Sequence, residues 1–180
     1  MRAAPVDLDT LVLSALPAAG LYSWWQADGA LPGVPAVPHP AVPGLGLIYV
    51  GIGPASAKSS ETLRSRLVGK HLEGNTGSST LRLTLASHLV DALNLRPRAT
   101  AKKVVLDAAD NRCLSEWMFA NLRVRWTAHP TPWDVEAEAI GAMRPPLNID
   151  HNRDHPYCLT NRALRDAFRR TARDSPRSTG

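Results

Sequence analysis

Between Asp28 and Gly46 the chain holds five prolines and four glycines, with no charge after Asp28. Proline fixes φ and supplies no N–H, so such a stretch cannot wind as a helix or pair along its length as a strand. It is bracketed by two β-prone runs, Gly20-Leu21-Tyr22-Ser23-Trp24-Trp25 and Leu47-Ile48-Tyr49-Val50-Gly51. The pattern predicts a long hairpin insertion, partly polyproline II, over 28–46 between two neighbouring strands. Tyr22 and Tyr49, 27 positions apart in sequence, then sit side by side, since facing residues of antiparallel strands lie within ~5 Å. A strand that runs into a Gly-rich turn is also where a sheet aims a polar side chain into a cleft.

The other elements follow from periodicity and caps. Val6 to Leu16 reads as a short helix closed by Pro17, part of an N-terminal helical extension over 1–19. A helix capped by Ser59 runs to about Leu72, and a second spans Thr80 to about Leu93. Lys103 to Leu106 is a weak strand candidate, and Asn111 is placed to cap a helix from Cys113 to Asn121. Leu122 to Thr127 alternates Val124 and Trp126 against Arg123 and Arg125, as a strand with one buried face does. Trp133 to Met143 is a helix stopped by Pro145-Pro146, and 148–156 is loop. An Arg-rich helix from Thr160 to about Thr171 and a disordered tail complete 151–180. The class is α/β (α+β).

Length and charge narrow the function. The chain's 180 residues suit one domain, and the net charge is +5 with a pI near 9.7. Only four of the 21 basic residues are lysine. Arginine's planar fork fits phosphate, so a polyanionic partner is favoured, although an Ala-, Pro- and Arg-rich composition also follows from a GC-rich genome. Cys113 and Cys158 form no CxxC pair. With no signal-type N-terminus and no long apolar run, the expectation is a cytoplasmic protein with no membrane contact.

Glu136 lies on the helix after the Trp126 strand, twelve residues before Asn148 in Arg144-Pro145-Pro146-Leu147-Asn148. One carboxylate can anchor a hard divalent ion that keeps most of its waters. Glu138 points elsewhere, about 200° further round the helix. Arg66 sits at the edge of a stripe marked by Leu63 and Leu67, where a cation can serve a phosphoryl group gaining charge; Arg64 is its rival. Lys70 and His71 end that helix, and His71 can move a proton near neutral pH or simply complement the helix terminus. His151, His155 and Cys158, with Cys113, make a weaker zinc alternative. Arg162, Arg165, Arg169 and Arg173 share one face of the last helix, as a DNA-backbone track or a solvated surface.

Taken in order, GLY, YVG, the Arg-Leu helix and a Glu followed twelve residues later by Asn in a P-P-L-N turn resemble the GIY-YIG nuclease family. The resemblance spans about Gly20 to Asn148. It implies a nuclease domain over 20–150 with a small three-stranded antiparallel or mixed sheet flanked by helices, and DNA cleavage with one divalent ion, Mg²⁺ or Mn²⁺. By the same resemblance Tyr22 and Tyr49 are the signature phenols, Arg66 the phosphate clamp, Glu136 the metal ligand and Asn148 a supporting polar residue. His71 is a candidate base, and Arg64, Lys70, Arg82, Arg162, Arg165, Arg169 and Arg173 are candidate DNA contacts. The long tyrosine spacing resembles the restriction-enzyme branch. The expected partner is DNA, with a homodimer left open. The alternatives are a repair or mobile-element nuclease and a non-cutting DNA-binding module that keeps the fold.

Overall fold

The computed structural model describes residues 4–8 and 16–174. Three long strands, β2 (Gly20–Ala27), β4 (Leu45–Gly53) and β7 (Leu122–Ala128), form the body of an antiparallel sheet. Two two-residue strands, β1 (Val6–Asp7) and β3 (Val37–Pro38), close its edges, in the order β1-β7-β2-β4-β3. A separate ribbon pairs β5 (Arg98–Ala99) with β6 (Val104–Val105). Five helices surround the sheet among the described residues. They are a π-helix (Ser65–Leu72), α1 (Thr80–Leu89), α2 (Ala108–Asn121), α3 (Pro132–Met143) and α4 (Cys158–Asp174). Among the described residues no helix is long and apolar enough to cross a membrane.

The tyrosine-bearing strands are direct neighbours, as the insertion argument requires, but their register is not side by side. Trp24 faces Tyr49 and Tyr22 faces Gly51, so the two phenols are diagonal on one face of the sheet. A bulge where β2 passes from Trp24 to Trp25 leaves Ile48 as an extra residue on β4. Ile48 and Tyr49, though adjacent, consequently both join the larger core, while Leu47 and Val50 join the smaller one on the opposite face. Bulges re-aim side chains in this way beside functional sites. Gly51 supplies the space: a Cβ there would lie 2.5 Å from the Tyr22 hydroxyl.

The smaller core is Trp25, Leu47 and Val50 against Ile140 of α3. On the other face the π-helix, α1, α2 and α4 pack Leu63, Leu67, Leu81, Leu85, Leu114, Met118 and Phe168 against Tyr22, Trp24 and Ile48.

Four expectations change. Val6–Asp7 is strand rather than helix, pairing with Val124 and Arg123 of β7, and Asp7 forms an ion pair with Arg123; residues 9–15 of the expected helix lie outside the described residues, as does the tail beyond Asp174. The sheet has five strands instead of three, because two-residue edges carry no readable period. The proline-rich hairpin insertion contributes to the core and the sheet: Leu31 and Val34 are buried in the larger core, and Val37–Pro38 pairs with β4 at Leu47 and Gly46. Finally, α2 starts at Ala108 with Asp107 as its cap, its carboxylate accepting from the Asp110 N–H at 3.0 Å.

Candidate active site

The PPLN turn after α3 fastens that helix to β4. Leu147 N–H donates to the Ile48 carbonyl at 2.9 Å, and the Asn148 amide takes both backbone groups of Val50, at 2.9 and 2.8 Å. A buried side-chain amide thus stands where the next strand would pair, which satisfies the edge of β4 beyond the short β3. Asn152 and Asn161 donate to the Pro145 and Pro146 carbonyls, tying the turn to the loop and to α4. Glu136 of α3 and Tyr49 of β4 are held in fixed relation by this clasp.

Between the sheet face and α4 opens a cavity of about 410 Å³. Tyr49, Arg66, Glu136 and Asn148 line it, together with Arg162, Arg165 and Arg169. Tyr22 and His71 lie behind this wall, 1% exposed each, and the Tyr22 hydroxyl is 2.6 Å from His71 Nε2. Arg66 links the two groups, since the charge of its guanidinium acts on both phenols.

Burial dominates the electrostatics. It pushes the Tyr49 phenol up to about 12 and Tyr22 well above its ordinary value, against the pull of Arg66. Burial also drives His71 down to about 3, helped by the charges of Arg66, Arg82 and Lys70. At neutral pH the pair is therefore a neutral phenol on a neutral imidazole. Burial raises the half-buried Glu136 carboxyl too, with Asp150 adding to the rise while His151 and Arg66 oppose it. A carboxylate held under that pressure, on a cavity wide enough for a hydrated ion, is a suitable single anchor for a divalent cation.

The π-helix explains how Arg66 and His71 both reach this place. In an α-helix residues five apart are about 140° apart, whereas the wider winding, with Glu73 N–H reaching the Val68 carbonyl at 2.9 Å, brings them closer to one face. Such turns recur at functional sites. Glu61 then braces the arginine, reaching Arg66 at 3.3 Å and Lys70 at 3.4 Å.

Of the residues expected from the sequence, Tyr22, Tyr49, Arg66, His71, Glu136 and Asn148 come together, and Arg162, Arg165 and Arg169 join them at the cavity. Lys70 is half-exposed and paired with Glu61. Arg64 and Arg173 are exposed away from the cavity lining, whereas Arg66 is part of it. Arg82 is a correction. It is fully buried and donates to the carbonyls of His71, Leu72 and Asn111, to Asn111 Oδ1 and to Ser115, so it bolts the π-helix to α2 and cannot touch DNA. The zinc alternative also fails: among the described residues no three His, Cys, Asp or Glu side chains are placed to share a metal. Sequence reasoning missed Glu61, Ser79 and Asp150, and weighed His151 only as a zinc ligand; Asp150 and His151 lie two and three residues past Asn148, so extending the motif by three residues reaches both.

Two buried phenols, an arginine, a carboxylate and a basic helix thus meet around one cavity of an α/β domain. A family model described as the GIY-YIG catalytic domain matches residues 20–167, and the chain belongs to that family, whose domain is a nuclease. No curated protein and no solved structure gives a significant match.

Proposed function

We propose that this protein is a metal-dependent endonuclease that hydrolyses phosphodiester bonds of DNA, acting alone or in a restriction-like role. The observation that carries the reading is the convergence of Arg66, Glu136 and Tyr49 on one cavity, backed by the Tyr22–His71 pair. Burial raises both phenols, which disfavours a preformed phenolate as the base at neutral pH. Tyr22, just behind the cavity wall, instead takes a proton from an attacking water admitted between Tyr49 and Arg66 while passing its own to His71 Nε2, so both transfers accompany attack. His71 is kept neutral and is therefore free to receive that proton. Arg66 stabilises the charge that builds on the phosphoryl oxygens, and a phosphate on Arg66 offsets one of the charges that oppose an imidazolium. Tyr49 orients the phosphate from the cavity wall, and Arg162, Arg165 and Arg169 hold the flanking backbone.

Glu136 is the residue that would hold one Mg²⁺ or Mn²⁺. Bound there, the ion supplies Lewis-acid stabilisation to the departing oxygen. The restriction-like reading draws on the long connection between β2 and β4.

The test is plasmid cleavage with Mg²⁺, with Mn²⁺ and with EDTA, beside two variants. Glu136→Gln keeps shape but removes the anionic ligand, and is expected to bind DNA without cutting. Glu138→Gln alters an exposed residue on the same helix and is expected to cut normally. Cleavage that survives EDTA, or an active Glu136→Gln, overturns the metal assignment.

A further inference from the structure

His71 has a second ring nitrogen, and it too is engaged. Nδ1 lies 2.7 Å from Ser79 Oγ in the buried interior. Ser79 is the N-cap of α1, and its oxygen also accepts the Arg82 N–H at 3.1 Å. We propose that Ser79 is a positioning residue for the cleavage reaction: it holds the Nδ1–H tautomer of His71, which leaves Nε2 as the proton acceptor for Tyr22. The assignment rests on the nuclease reading for its consequence, though not for its geometry.

The neighbouring donors and acceptors select the tautomer. A neutral imidazole carries one N–H. With that proton on Nε2 it would donate to the Tyr22 oxygen, and the Tyr22 O–H would then need an acceptor of its own. Its other polar neighbour is the Arg66 guanidinium, which has donors and no lone pair to offer. With the proton on Nδ1 the stronger donors are served: Tyr22 O–H donates to Nε2 and Nδ1–H donates to Ser79 Oγ. The proton left over is that of the Ser79 hydroxyl, a weaker donor than the phenol that the other tautomer would strand. A buried N–H without an acceptor is unfavourable, so the tautomer depends on Ser79 being there.

The scaffold keeps both ends of this contact in place. Capping fixes the Ser79 rotamer at the start of α1. Three residues on, the buried Arg82 donates to the carbonyls of His71 and Leu72, at 2.9 and 3.2 Å, and so pins the backbone that carries the imidazole. The line Tyr22–His71–Ser79 thus runs from the central strand through the π-helix to α1.

Two substitutions separate positioning from capping. Glycine is nearly as good an N-cap as serine but has no side-chain acceptor, while threonine caps and accepts. Ser79→Gly is expected to keep its melting temperature within a few degrees and its DNA affinity unchanged. Its single-turnover cleavage rate is expected to fall roughly 10²-fold, the lower range of general acid–base contributions. Ser79→Thr is expected to restore the rate to within tenfold of the parent. Long-range ¹H–¹⁵N spectra of the parent, which need no cleavage activity, are expected to show His71 protonated at Nδ1 and bare at Nε2. A parent protonated at Nε2 overturns the proposal whether or not the protein cuts DNA. So does a folded Ser79→Gly that cuts at the parental rate, or a Ser79→Thr as slow as the glycine variant. If the parent cuts nothing while the spectra show the Nδ1–H form, the tautomer assignment stands and the nuclease reading falls.

Discussion

Tyr22 and His71 are buried polar groups that satisfy each other, and this makes both stability and rate sensitive to small changes there. His71 sits near pH 3 when folded and near 6.5 when unfolded, so between those values the unfolded chain binds the extra proton. Stability then falls as pH drops below about 6.5, and the loss saturates near 3. From pH 7 to pH 5 the group accounts for on the order of 2 kcal/mol. Urea unfolding of the parent and of His71→Gln at both values checks this: the variant is expected to lose most of the pH dependence while starting less stable. The phenols separate by role. Tyr22→Phe strands His71 Nε2 and breaks the relay, so cleavage is expected to fall by at least 10²-fold with a stability loss of about 1–3 kcal/mol. Tyr49→Phe, whose hydroxyl has no such partner among the described contacts, is expected to lose less rate and little stability. Single-turnover kinetics with thermal melts distinguish them, and equal rates in both variants and the parent would move the base role away from the phenols. The sequence exposed both tyrosines through their motifs. It could not show which one meets the histidine, because that depends on a bulge and on a two-residue offset between strands.

Strands β2, β4 and β7 were legible because alternation and flanking glycines mark them, and α3 was legible to within a residue because prolines bound it at both ends. Other features had no local signature. The two-residue edges β1 and β3 are too short to show a period, and the start of α2 was ambiguous because Asp107 and Asn111 are both cap-type residues. The π winding of Ser65–Leu72 is a backbone outcome that no residue in the stretch encodes, yet it sets how Arg66 and His71 share a face. Arg82 misled for a plain reason: arginine is seldom fully buried, and only the fold shows five neutral acceptors converging on it. The proline-rich segment misled in the opposite direction. Its prolines forbid regular structure along its length, but Leu31 and Val34 still find the larger core. Leu31→Ala is accordingly expected to destabilise the protein by about 2–5 kcal/mol, as measured by chemical denaturation. Replacing 29–44 with a tight turn is expected to do so at least as strongly. An unchanged midpoint in Leu31→Ala would show that the segment adds nothing to the core.

Across the whole molecule the net charge of +5 matters less than where it is turned inward. Arg162, Arg165 and Arg169 recur at helical spacing along α4 and look into the cavity that Arg66 and Glu136 share, while Arg173, a turn further on, is exposed outside it. Packing decides this split, because Cys158, Asn161, Phe168 and Ala172 give α4 its buried stripe and so fix which arginines flank it. The three differ in availability: Arg169 is already held by Asp166 at 2.9 Å, whereas Arg165 is half-buried, with burial and the charge of Arg169 both lowering its pKa. A phosphate beside Arg165 relieves both pressures, so Arg165 and Arg162 are expected to contribute more to DNA affinity than Arg169. Each phosphate contact that is lost flattens the dependence of log K on log salt by roughly 0.9 for duplex DNA. Binding titrations of a short duplex between roughly 50 and 200 mM salt therefore report the contacts directly. Replacing Arg162 and Arg165 together by Ala is expected to flatten the slope by nearly two units and weaken binding alike for unrelated sequences. Arg173→Ala is expected to leave the slope where it was. If Arg173→Ala flattened it as much as the double variant, the DNA backbone would run along the outer face of α4, away from the cavity.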